Sequence, residues 1–281
     1  MEERLQKVLA SAGIASRRKC EEYILSGRVA IDGKIVKELG TKADPMIQEI
    51  TVDGHPIAAE PKISILLHKP TSRISSVTDP EGRKTVMEKI SSLPFRLYPV
   101  GRLDYDSSGL LLLTNDGELT HKLLHPSHHI GKLYRVTALG MVDKKIVRNL
   151  EQGIELEDGV TAPAKVWALR QHPKESVVDI EIFEGKNRQI RRMFEKLDLP
   201  VKRLKRIAFG PLQLNDLRVG QWRFLDEKEW EDIYRICNLP IPDYPKEIIQ
   251  TYKLASERRI RNLQNQSDKK KGNGQAQRNK T

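Results

Sequence analysis

With 281 residues, and 49 Lys and Arg against 38 Asp and Glu for a formal charge of +11, the chain can bury more than one core and is basic enough to seek a polyanion. Its two cysteines, Cys20 and Cys237, match no metal or redox spacing and argue against a disulfide framework. No apolar run reaches the roughly 18 to 20 residues of a membrane helix, and "MEERLQ" is too charged to open a signal peptide. The expectation is a soluble, cytoplasmic, monomeric protein whose partner is nucleic acid rather than a membrane.

In chain order, Leu5, Val8, Leu9 and Ala12 recur at helical spacing, Gly13 breaks the pattern, and Ser16 is placed to cap a second short helix ending near Gly27. "RVAIDGKIV" and "ITVDGHPI" read as hairpins that turn at Asp32-Gly33 and Asp53-Gly54. Arg17, Arg18 and Lys19 cluster at the start of the second helix, where the helix dipole adds positive potential; this suits phosphate, although a solvated helix end reads equally well from the residues alone. The stretch "RLQKVLASAGIASRRKCEEYILSGRVAIDGKIV" resembles an S4 domain, a small RNA-binding module, over residues 1–60. The resemblance implies that Arg17, Arg18 and Lys19 lie against structured RNA, reading shape and phosphates more than sequence.

A linker around Pro61 leads into a second domain, 61–245, where strand patterns dominate and helices do not alternate strictly with them. This predicts an α+β fold with a mixed, mostly antiparallel sheet. The run Leu110 to Leu113, bounded by Gly109 and by Asn115-Asp116-Gly117, predicts a strand buried on both faces. "SVVDIEIFE" alternates, with Val178, Ile180 and Ile182 on one face and Asp179 and Glu181 on the other. From Ile249 to Thr281 nine basic residues face two acids, so much of the net charge sits there. The polar make-up of 246–281 predicts a basic disordered tail.

Four histidines crowd into "HKLLHPSHH", two of them, His121 and His125, at i and i+4. Lys122 stands where a zinc protease needs Glu, so no metal site is expected. No phosphate loop, dinucleotide fingerprint or nucleophile elbow is present, so no cofactor is expected. Carboxylates remain. Asp104 and Asp106 stand at the mouth of the leucine strand in "GRLDYDSSG"; Asp106 reads as a turn or cap acceptor, while Asp104 beside an apolar strand needs a cation to stay ionised. The segment "EGKNRQIRRMFEKL", taken as a helix, puts Ile190, Met193, Phe194 and Leu197 on one face. Arg191 then falls on the edge of that stripe, about 60° from Phe194, aimed at a cleft wall, and Arg188 and Arg192 point away, with Lys186, toward phosphate or solvent.

"GRLDYDSSGLLLLTNDG", "EGKNRQIRRMF", "KLYRV" and "HKP" are together similar to the ribosomal RNA pseudouridine synthases of type A (small-subunit) and type B (large-subunit), from about Ile63 to Leu239. The resemblance implies an isomerase that turns a uridine of ribosomal RNA into pseudouridine without a cofactor, Asp104 being catalytic, Tyr134 lining the base pocket and Arg191 pairing with Asp104. Arg102, Lys186, Arg188 and Arg192 join the expected RNA contacts. The long motif and "APAK" favour the large-subunit group, with the small-subunit type and a non-catalytic RNA-binding assembly factor as alternatives. Hydrolysis of the glycosidic bond finds no second acid placed to activate water. One departure stands beside Lys69-Pro70: the family usually has Gly two residues after that proline, and here Ser72 occupies the place, which bears on the conformation of "TSRISS". Lys69 itself is expected to brace the loop rather than react.

Overall fold

The apolar spacing at the N-terminus becomes two helices in the computed structural model, which describes residues 2–255. They are α1 (Leu5–Ser11) and α2 (Arg17–Leu25), and the Ser16 hydroxyl accepts the Lys19 backbone N–H at 3.2 Å as the cap of α2. Strands β1 (Val29–Ile31) and β2 (Lys34–Val36) form the first hairpin, and β3 (Ile50–Val52) pairs with the other edge of β1 and with His55–Pro56. Both turns hold two successive residues at positive φ, Asp32 and Gly33 at 49° and 76°, Asp53 and Gly54 at 52° and 79°. That is the primed geometry which the strand twist favours. Leu5, Leu9, Cys20, Ile24 and Val29 close one core, so Cys20 is packing material; Cys237 is likewise a free, buried thiol.

The second part is built on one large sheet. Its main strands are β4 (Ser64–Lys69), β5 (Ser108–Thr114), β6 (Lys132–Leu139), β7 (Lys165–Arg170), β8 (Glu175–Ile182), β9 (Val201–Phe209) and β10 (Trp222–Phe224). In space they run β7-β8-β6-β9-β5-β4-β10, antiparallel at every step except β9 against β5. The fold is therefore α+β with a mixed, mostly antiparallel sheet. Leu110 to Leu113 have 0% exposure, which is why β5 lacks alternation. In β8, Val178, Ile180 and Ile182 are buried, while Asp179 meets Arg135 of β6 at 2.8 Å on the opposite face.

The polar triplet after β5 is structural. Asn115 accepts the Ile63 N–H and donates to Pro61 O. Asp116 accepts the N–H groups of Glu118 and Leu119 to cap α3 (Gly117–Leu124), while its other oxygen takes the Tyr234 hydroxyl at 2.8 Å. Tyr234 belongs to α6 (Glu227–Ile236), whose start carries a reciprocal Asp226–Glu229 capping box, so one buried carboxylate ties two helices to the sheet. The two others are α4 (Lys144–Gln152) and α5 (Gln189–Glu195).

Between β4 and β5, Val86–Lys89 form a 3-10 turn. Two expectations change. Residues 2–242 belong to one compact unit and residues 243–255 to another; residues 246–255 are helical where disorder was expected, and the remainder of the basic tail lies outside the described residues. Helix α5 starts at Gln189 rather than directly after Asn187, because Arg188 adopts the left-handed conformation, φ 46° and ψ 31°, as its N-cap.

Ser72 does take the positive φ that its position called for, at 59°, and its N–H donates to Tyr105 O at 2.7 Å. A non-glycine residue held there costs about 1 kcal/mol. Ser72→Gly should therefore raise Tm by about 1–3 °C in a calorimetric scan, the relief being partly offset by the greater freedom of glycine in the unfolded chain.

Candidate active site

The loop Gly101 to Ser107 at the mouth of β5 is over-determined by its surroundings. Ser75, 6% exposed, accepts the Leu103 N–H and donates to Leu103 O. Beneath the next turn lies Lys69, the last residue of β4, wholly buried, whose Nζ donates to Asp104 O at 2.9 Å, Ser107 O at 2.8 Å and Pro70 O at 3.1 Å. Burial pushes its ammonium down to about 8, against the pull of the Asp104 and Asp106 carboxylates. Lys69 thus acts as a three-pronged brace under "DYDS", the bracing role expected of it. Lys69→Met takes the Nζ donor from three inward carbonyls and leaves Asp104 O only the Ser107 N–H, which costs about 3 kcal/mol or more. Circular dichroism melts should show a Tm about 6–12 °C lower, and assays below the new Tm should show kcat falling more than KM rises.

The brace aims Asp104 into a cleft of about 460 Å³, whose walls include Arg102, Tyr134, Arg188, Ile190 and Arg206. Two of the expected residues, Asp104 from the loop and Tyr134 from β6, are thus brought together. The third is placed differently. Arg191, 6% exposed, stands behind the wall, where its Nη2 meets Asp106 Oδ2 at 3.2 Å and donates to Asp106 O and Ser107 Oγ at 3.3 Å, and its Nη1 donates to Val201 O at 3.2 Å. The guanidinium nearest to Asp104 belongs to Arg188, with Nη1 4.0 Å from Asp104 Oδ2 and 3.5 Å from Asp106 Oδ1. Two expectations are corrected together: Arg191 pairs with Asp106 rather than Asp104, and Arg188 faces the carboxylates instead of pointing away. The cause is the late start of α5, since a residue at φ 46° does not lie on the helical wheel. Asp106 is correspondingly the ion-pair centre of the loop and more than a turn acceptor.

Residues 63–196 match the family model for RNA pseudouridylate synthase, and residues 3–46 that for the S4 domain. Ribosomal large subunit pseudouridine synthase B of Bacillus subtilis (strain 168) is 48% identical over 229 residues, 81% of this chain and 93% of that protein. The chain belongs to the RNA pseudouridine synthase family. The protein of the same name from Vibrio vulnificus (strain CMCP6) is 39% identical over 236 residues, 82% of this chain and 73% of its own length. A crystal structure of a pseudouridylate synthase covers 82% of this chain at 29% identity and a TM-score of 0.59, with 99% of that chain matched.

In this synthase the basic residues fall into two groups. Lys186 and Arg192, expected at phosphate or solvent, are engaged within the protein: Lys186 Nζ donates to the carbonyls of Asp158, Gly159 and Val160, and Arg192 forks onto the Asp158 carboxylate at 2.8 and 3.0 Å. Together they fasten α5 to the Glu155–Val160 hairpin. Lys19 is tied to Glu22 at 2.5 Å on its own helix. Arg17, Arg18 and Arg102 are exposed. Arg17 also lines a second, more open groove with Lys7, Arg96, Tyr98 and His121, where the S4 helices approach α3. Sequence reading missed Ser75 and Arg206. The first is one serine among several in "TSRISS"; the second is one cation among several in "VKRLKRIAF", where it reads as an ordinary exposed strand position.

Proposed function

We propose that this synthase converts one uridine of 23S ribosomal RNA to pseudouridine, with Asp104 as the catalytic carboxylate. The observation that carries the reading is the joint presentation of Asp104 and Tyr134 in one cleft, on a loop that four side chains, Lys69, Ser75, Asp106 and Arg191, hold in place. The names of the Bacillus and Vibrio relatives support a large-subunit substrate. The formal charge of +11 supports a polyanion.

The uridine leaves its stack and enters the cleft, where Tyr134, 8% exposed, offers an aromatic surface to the base. Ionised Asp104 meets the sugar–base junction, with the Arg188 guanidinium balancing its charge from 4.0 Å. The N1–C1′ bond breaks, the base turns, the C5–C1′ bond forms, and the hydrogen lost from C5 is replaced by one on N1, so no atom is gained or lost. Arg191 contributes from behind by fixing Asp106 and Ser107, a positioning role. Unstacking costs a few kcal/mol, which phosphate contacts along the cleft and the S4 groove offset.

Incubating the purified protein with protein-free 23S and 16S RNA, then mapping pseudouridine by carbodiimide-dependent reverse-transcription stops, tests the assignment. One new stop in 23S RNA is expected. A stop confined to 16S RNA would move the substrate to the small ribosomal particle, and no stop in either RNA would favour the assembly-factor reading.

A further inference from the structure

Two cations in the wall of the cleft have no counter-ion among the described residues. Arg206 on β9 is 2% exposed; its Nε donates to Leu110 O at 2.7 Å, and its Nη2, also buried, has no hydrogen-bond partner. Lys132 on β6 is half-buried, and its Nζ donates only to Ile130 O at 3.2 Å. Both charges lie against the same buried ring: Lys132 Nζ is 5.7 Å and Arg206 Cζ 5.1 Å from the centroid of Phe209. Neither forms an ion pair among the described residues. The acid that acts on Lys132, Glu184, accepts instead from the Ala162 N–H and the Gln189 amide. Burial and the neighbouring Arg206 both push the Lys132 ammonium down, the behaviour of a cation in a place that lacks its anion.

Burying a guanidinium without a carboxylate is costly, and a quadrupolar ring offsets only part of that. Two like charges against one ring add mutual repulsion, which a bound anion would reverse. We propose that Lys132, Arg206 and Phe209 form an anion subsite that seats one RNA phosphodiester beside the extruded nucleotide. Lys132 supplies the direct contact, and Arg206 supplies the second charge from the wall behind it. A neutral uracil edge does not call for two full charges, whereas RNA carries one anion per nucleotide. The position fits as well. Lys132 and Tyr134 are two residues apart on β6 and so share a face, and Arg206 is the register partner of Tyr134, which puts the subsite within about one nucleotide of the base on Tyr134. A phosphate held there fixes the strand while the base leaves its stack, so binding energy remote from the reacting bond contributes to orientation.

The inference rests on RNA being the substrate, and the test separates the two. RNA fragments spanning the mapped uridine, each carrying one uncharged methylphosphonate linkage at a successive position, are titrated against wild-type protein, Lys132→Gln and Lys132→Arg. One linkage next to the target should weaken wild-type binding about tenfold. Lys132→Gln should bind unmodified RNA more weakly by a similar factor and be indifferent to that linkage alone, while Lys132→Arg restores both affinity and sensitivity. Arg206→Gln, if it folds, should show the same indifference; Lys132, half-exposed, carries the test regardless. Losses that simply add at every position would overturn the subsite. Pseudouridine formation in the unmodified fragment is read in parallel: its absence together with intact coupling would overturn the proposed reaction and leave the anion site standing.

Discussion

Asp104→Asn should reduce pseudouridine formation by about 10⁴-fold or more while leaving RNA affinity within a few-fold of wild type. The substitution keeps the size and planarity of the side chain and removes only the charge and the nucleophilic oxygen. Asp104 accepts through its backbone carbonyl from Lys69 and from the Ser107 N–H, and neither contact involves the carboxylate, so the loop should keep its shape. Loss of a negative charge from a cleft lined by Arg102, Arg188 and Arg206 cannot weaken the attraction for phosphate and should slightly strengthen it. Single-turnover conversion of a uridine-labelled 23S fragment, measured beside filter binding of the same fragment, separates the outcomes. Conversion within tenfold of wild type would remove Asp104 from the chemistry; parallel collapse of binding and conversion would make its role structural. Arg188→Gln should cost less, because Asp106 and Asp104 share that guanidinium and Arg191 continues to hold Asp106.

The contrast between these two arginines shows where sequence reading reaches and where it stops. Elements set by local pattern are legible in this chain. The Ser16 cap, the two Asp-Gly hairpins, the leucine strand and the alternation of β8 all follow from spacing, because each is decided by neighbours within a few residues. The Arg191–Asp106 pair is not of that kind, since the two residues lie 85 apart in sequence and the partner depends on where α5 begins. That start is set by a single left-handed residue, Arg188, which no residue-type preference marks in advance. The helical wheel correctly placed Arg191 at the edge of the apolar stripe, and its 6% exposure agrees. The wheel failed for Arg188 because Arg188 is not in the helix. Arg206 was illegible for a different reason. In a central strand a cation reads as an exposed position of an alternating pattern, and only the assembled sheet shows that its side chain is buried over Phe209 beneath the cleft.

Gly109→Ala should damage both stability and activity more than its single methyl suggests. The parallel contact between β9 and β5 brings Arg206 opposite Gly109 so closely that an added Cβ would sit 2.2 Å from Arg206 O and 2.5 Å from Arg206 N. Those are backbone atoms and cannot rotate away, so the strands must separate. The glycine φ of +112° also lies where an L side chain is strained. Separation would stretch the Arg206 Nε bond to Leu110 O and shift the start of β5, to which the Asp104 loop is joined through Ser107 and Ser108. A cost of about 4 kcal/mol or more follows from strain and lost packing together, which for a unit of this size lowers Tm by about 10 °C. Gly33→Ala is the matched control. Its φ of +76° is also positive, but nothing lies within 4 Å of the added carbon, so only the conformational cost of about 1 kcal/mol applies. Thermal melts of the two variants should differ by several degrees, and conversion of the 23S fragment below both melting temperatures should fall for Gly109→Ala alone. Equal melting temperatures would mean that the sheet absorbs the methyl at Gly109 without parting, and the close crossing of β9 over β5 would then not be what holds the Asp104 loop at the cleft.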